Sequence, residues 1–335
     1  MIRISKTVLP STDNPYAVGY LSLGGDVWGI CASGSRGSSL AFPADAPEKA
    51  ARQELHPANW GAQMFCPADE NSYFAIQGFL PEFQCENSCL VRITKDGEHW
   101  RVEHCFAMPF LHKIAVAESG GRKYLLCATL SGPKDFKEDW SRPGAVWVSP
   151  IPDDPTAGGW SFSRILYPMT KNHGFCCGLL DGKDTFFFSA SEGTWAVRAP
   201  QTPKSDWWIE QLFDFEIGDL SVFEDIVAAV DGFHGNSFSL YRRTGERLLT
   251  TPLTWGHTAW LGRVGGIPIA VAGELEGEQR IMFFADFGKG FQLIRTESRI
   301  GPFSVCPRFI DENVLELLCP ARAAGSPLIY RVEVS

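Results

Sequence analysis

The chain has 335 residues, 44% of them hydrophobic and 13% aromatic, with a net charge of −9. That is ample for a large core, and with no basic run longer than two residues it argues against nucleic acid or an anionic membrane as partner. No apolar stretch approaches the roughly 20 residues of a membrane span, and the opening MIRISKTVLPSTDN lacks a signal peptide's apolar region.

Taken in order, the chain begins with a strand-like run, Ile2–Leu9. Pro15-Tyr16-Ala17-Val18 then starts an apolar run, and Pro47–Leu55 is the only helix-like segment. The same kind of strand start recurs at Ala58-Asn59-Trp60-Gly61, at MPFLHKIAVAE (108–118) and at Lys171-Asn172-His173-Gly174-Phe175. It recurs again at Gly218-Asp219-Leu220-Ser221-Val222, Trp255-Gly256-His257-Thr258-Ala259 and Pro302-Phe303-Ser304-Val305. The anchors are Tyr16, Asn59, His112, His173, Asp219, His257 and Phe303. A repeat of about 48 residues points to a propeller or solenoid.

Between anchors stand short β-type runs divided by Gly, Pro, Asp and Ser. The third repeat predicts strands at Leu111–Ala117, Lys123–Leu130, Ala145–Pro150 and Trp160–Tyr167, with a tight turn at Ser119-Gly120-Gly121. The fourth predicts His173–Leu180, Thr185–Ala190, Thr194–Ala199 and Asp206–Phe213, turning at Asp181-Gly182. The seventh runs out at Ser335 with three strands, so Ile2–Leu9 is expected to supply its fourth and close the ring. The expected fold is all-β: one seven-bladed β-propeller domain over residues 1–335, four antiparallel strands per blade.

The ten cysteines mostly sit inside apolar runs, and Cys85 and Cys89 have no second pair at zinc-site spacing. They read as reduced core residues of a cytoplasmic protein. Outer-strand aromatics such as Trp100, Trp147, Trp195 and Trp208 read as inter-blade packing. His99 and His104 read as surface residues. No Gly-rich phosphate loop opens a helix, and Gly34-Ser35-Arg36-Gly37 has the wrong spacing for a hydrolase elbow.

WD, Gly-His and kelch signatures are absent. The strand, Gly or Asp-Gly turn, strand unit, clearest in NHGFCCGLLDGKDTFFFSASEGTWAVR (172–198), resembles the repeats of the FG-GAP/VCBS propeller group, without most of its acidic calcium positions. With histidines starting the inner strands (PFLHKI, KNHGF), the chain resembles the propeller part of aldos-2-ulose dehydratase-like proteins. That resemblance implies dehydration of a keto-sugar or its anhydro form.

In a propeller the inner strands line the channel, and their starts and the loops between second and third strands share one face. The seven anchors are therefore expected to ring one channel mouth. Three imidazoles, His112, His173 and His257, suit a divalent metal ion (zinc, manganese or magnesium), with Asp219 as ligand, as partner to a ligand, or as base. His234 is another candidate base, as is any histidine not on the metal. Glu192, Glu274 and Lys134, from the overhanging loops, are candidate acids. Tyr16, Trp60, Trp140 and Phe303 are placed to stack on a sugar, with Asn59, Arg142 and Asp231 as polar contacts. The long loop 131–144 carries Lys134, Trp140 and Arg142. Lys113 is expected to point away from the channel. The expected function is a metal-dependent carbohydrate lyase expelling water or a glycoside. The alternatives are a non-catalytic glycan-binding propeller and a protein-interaction scaffold.

Overall fold

The computed structural model describes all residues except 36, 57–59, 81–84 and 203–204. Asn59 lies outside the described residues. The described strands form seven four-stranded antiparallel sheets, each in simple sequential order except the last. In that sheet Ile2–Val8 pairs with Ser326–Val334, in register from Ile2↔Val334 to Val8↔Leu328. The N-terminal strand thus covers the edge that an open ring would leave bare.

The four strands of a blade differ in burial because they differ in what covers them. Second strands are sandwiched between blades and buried beyond their first residues, as in Arg122–Thr129, and Ser72–Gln77 is buried throughout. Fourth strands face solvent and alternate, as in His99–Ala107, where both His99 and His104 are exposed. Cores form between blades: Phe74, Ile76 and Leu90 of blade 2 pack with Leu111, Ile114 and Leu125 of blade 3. Trp147 and Trp160 pack against that cluster, and Trp28 meets Trp100 edge-on at 5.8 Å. The ten cysteines form no disulfide, and seven of them are buried.

First and second strands join through two-residue turns in which both residues have positive φ, such as Gly120-Gly121 (57°, 73°) and Asp181-Gly182 (54°, 71°). That turn matches the strand twist and favours Gly, Asn or Asp. Pro47–Leu55 does not form the expected helix. A 3-10 turn, Pro47–Lys49, leads into a short strand, Ala51–Gln53, that completes blade 1 by pairing with Ser39–Pro43. Pairing to an available edge overrides local propensity there.

Candidate functional site

Five of the inner strands start with the same irregularity. The register slips by one residue between Pro15 and Ala17, Ala62 and Met64, Leu111 and Lys113, Ile217 and Asp219, and Gly256 and Thr258. The extra residues are Tyr16, Gln63, His112, Gly218 and His257. His173 stands in the matching place just before its strand, its N–H donating to Ser189 O. Phe303 follows the Pro302↔Ala321 bridge. A bulge aims its extra residue out of the normal alternation, here toward the channel mouth in blades 1, 3 and 6.

One expected ring member therefore changes. In blade 5 the position belongs to Gly218, and Asp219, one residue on, turns deeper into the channel. In blade 2 the bulged residue is Gln63, which also lines the deeper channel, and the expected Asn59 lies outside the described residues. A shift of one residue along a strand moves a side chain to the other side. The bulge also corrects Lys113, which follows His112 and lines the deeper channel instead of pointing away from it.

The vacancy at Gly218 is filled from above. Residues 232–236 link the second and third strands of blade 5 and fold inward, with Gly232 and His234 at positive φ. Asp231 anchors the base of this loop by accepting hydrogen bonds from Ser237 Oγ (2.6 Å), Ser239 Oγ (2.6 Å) and Tyr241 OH (2.8 Å). Phe233 packs edge-on against Trp140 of the long loop at 5.3 Å and against His173 at 5.3 Å. His234 thereby enters the ring.

The result is a cluster of four imidazoles. The ring centroids of His173 lie 4.7 Å from His112, 4.9 Å from His234 and 4.9 Å from His257, and His234 stacks on His257 at 5.1 Å. Potential ligand atoms of His173, His234 and His257 all lie within 4.8 Å of one another. His173 Nδ1 donates to Gly218 O, and His257 Nδ1 donates to Phe303 O at 2.8 Å. A carbonyl only accepts, so Nδ1 carries the proton in both rings and Nε2 keeps its lone pair. Backbone carbonyls on Nδ1 are the usual way a metal-binding imidazole is oriented. His112 Nδ1 is buried without a hydrogen-bond partner.

Burial keeps these rings uncharged. It is the largest cause lowering His112 and His173 well below the ordinary imidazole value. Burial, then His257 and Lys113, pull His234 down to about 2, and burial, then Lys113, bring His257 to about 4. At neutral pH all four are neutral ligands or proton acceptors.

The cluster floors a cavity of about 280 Å³ whose walls include Tyr16, Phe79, Trp255, Phe303 and Arg322. Tyr16 and Phe303 are in ring contact at 4.2 Å, and the Arg322 guanidinium lies 5.4 Å from the Phe303 ring. Among the described lining residues there is no carboxylate. The sequence reading missed Phe79, Phe233 and Trp255, although Trp255 and Phe233 directly precede Gly256-His257 and His234.

The other candidates have structural partners away from this cavity. Glu192 accepts hydrogen bonds from Thr170 N (2.8 Å) and Thr170 Oγ1 (2.6 Å). Glu274, fully buried, pairs with Arg280 (2.6 Å) and accepts the Thr254 N–H (2.8 Å). The Lys134 ammonium sits 3.0 Å from the Trp140 ring centroid, donates to Lys137 O, and is lowered to about 8, first by burial. Arg142 pairs with Asp135 at 2.7 Å, and Trp60 packs against the core between blades 1 and 2. The long loop thus braces the His234 loop through Trp140 without lining the cavity.

No family model and no curated protein matches this sequence. Among solved structures, a chain of the crystal structure of the mitotic checkpoint complex aligns with a TM-score of 0.61 at 10% identity, over 97% of this chain and 92% of that one. At that identity the likeness is one of fold, and it agrees with the seven-bladed β-propeller described above.

Proposed function

We propose that His173, His234 and His257 hold a transition-metal ion and that the cavity above them dehydrates a keto-sugar or its anhydro form. The observation that supports this most is the convergence of three neutral imidazoles, from three separate elements, within 4.8 Å in an aromatic-walled cavity. An all-imidazole donor set suits zinc, copper or iron better than magnesium or manganese, which prefer oxygen ligands. Such an ion supplies Lewis acidity at a substrate carbonyl.

The chain's own groups would do the rest. Tyr16, Phe303 and Trp255 offer ring faces for the sugar, and Arg322 can bind an oxygen at the rim. His112, neutral and outside the trio, is the nearest side chain to take the acidified α-proton. The β-carbon–oxygen bond then breaks, and the proton taken up by His112 passes to the departing hydroxide, which leaves as water and returns His112 to its neutral form. With no carboxylate lining the cavity among the described residues, Asp219, Glu192 and Glu274 are poor choices for these proton transfers, and Lys134 lies outside it.

The test is metal analysis of the purified protein, followed by incubation with an anhydro-keto-sugar while the absorbance of a conjugated enone is followed. The reading requires bound metal and enone formation, both lost in His234→Ala. Metal-loaded protein that binds the sugar without forming enone is a glycan-binding propeller instead. Protein that takes up neither metal nor sugar leaves a scaffold role as the better account.

A further inference from the structure

Below the histidine cluster the channel widens into a second cavity of about 1040 Å³. Its walls are mostly apolar and aromatic, including Phe65, Phe175 and Trp260, and at its outer rim Leu179 and Phe309 are 57% and 51% exposed. The charged side chains toward its outer turns are ion-paired, Asp181 with Arg243 at 3.2 Å and Glu224 with Arg263 at 2.8 Å. Gln63, Lys113 and Asp219 line it as well, alongside the hydroxyls of Ser221 and Ser304. Among the described residues the Lys113 ammonium makes no hydrogen bond or ion pair, although Asp219 is its electrostatic neighbour. Gln63 Oε1 is buried with no hydrogen-bond partner. Asp219 accepts backbone N–H groups, Ala259 N at 3.1 Å. One cation and two acceptors thus line a largely apolar space, and the Lys113 ammonium and Gln63 Oε1 make no hydrogen bond there, at a free-energy cost that a complementary ligand would offset.

We propose that this cavity binds an apolar or aromatic α-amino acid as its zwitterion. The carboxylate would pair with Lys113, the ammonium would donate to Asp219 and to Gln63 Oε1, and the side chain would lie along the aromatic wall. The charge pattern selects this class. A simple fatty acid satisfies Lys113 and leaves both acceptors bare beside its carboxylate. A simple amine satisfies the acceptors and faces the lysine.

The site does not depend on the metal reading. Calorimetric titration in the presence of EDTA should show L-phenylalanine or L-leucine binding at least about tenfold tighter than phenethylamine or 3-phenylpropionate. Lys113→Met should bring L-phenylalanine down to the level of phenethylamine, and Gln63→Leu should weaken the zwitterion and the amine alike. Lys113→Arg, which keeps the charge, should retain binding and covers the case in which the methionine variant does not fold. The proposal is overturned if neither amino acid binds at millimolar concentration, or if 3-phenylpropionate binds as well as L-phenylalanine. It is also overturned if binding appears only with metal present, which would put the ligand at the mouth. Failure to hold metal, by contrast, would count only against the lyase reading.

Discussion

Gly218 keeps its place in the ring open for His234: a Cβ on Gly218 would stand 3.1 Å from the backbone nitrogen of His234 and 2.1 Å from the carbonyl oxygen of Gly232. The backbone of the inward-folded loop occupies the space a side chain would need. His234 reaches the cluster because the inner strand beneath it has none at that position.

Gly218→Ala is therefore expected to push residues 232–236 outward. Overpacking of this kind costs about 1–3 kcal/mol, and displacing a ligand-bearing loop should weaken metal binding by roughly 10- to 100-fold. Thermal melts and a metal titration read the two effects. An unchanged metal affinity would show that the loop does not carry a ligand.

His234→Ala and His112→Ala separate two ways of choosing three ligands from four imidazoles. With His173, His234 and His257 as the set, His234→Ala loses metal, while His112→Ala keeps it and loses turnover. The reverse result, measured by metal content after dialysis, would return the site to His112, His173 and His257.

Closure of the ring makes the N-terminus structural. Ile2 and Ile4 pack against the core between blades 6 and 7, and Lys6 pairs with Glu297 at 2.7 Å. Removing residues 1–9 exposes the edge of Ser326–Val334 and should lower Tm by well over 5 °C, with aggregation through the bared strand. A truncated chain melting at the full-length temperature would contradict the closure.

The buried imidazoles and Asp219 act on stability with opposite signs. His234 and His257, at about 2 and about 4 in the fold against an ordinary 6.5, bind fewer protons than in the unfolded chain, so stability falls as pH drops below 6.5. Burial raises Asp219 from 3.8 to about 7, so between those values the folded chain holds more protons, and stability falls as pH rises. With His112 and His173 also lowered, the histidines dominate. Metal-free protein should lose Tm from pH 7 to pH 5, and Asp219→Asn should steepen that loss by removing the opposing contribution. An unchanged profile in the variant would mean Asp219 is already ionised in the fold.

Much of this architecture was legible in the chain. Gly120-Gly121 and Asp181-Gly182 mark hairpin turns by chemistry that acts over two residues, and the strands around them repeat seven times. The three-strand seventh repeat and the free run at residues 2–9 implied their own pairing. Pro47–Leu55 misled because a three-residue edge strand carries too little pattern to compete with a helical one.

The sequence by itself determined the propeller and the approach of His112, His173 and His257 to one another, since periodic strands and tight turns are set by local chemistry. Only the tertiary structure decided who joins them. A one-residue bulge at the start of five inner strands shifts the alternation, which in blades 3 and 5 sends Lys113 and Asp219 down the channel and leaves Gly218 in the ring. His234 then enters from a loop sixteen positions further along, the difference between 234 and 218. Neither event leaves a periodic trace in the chain, because each depends on how one strand is held against its neighbours.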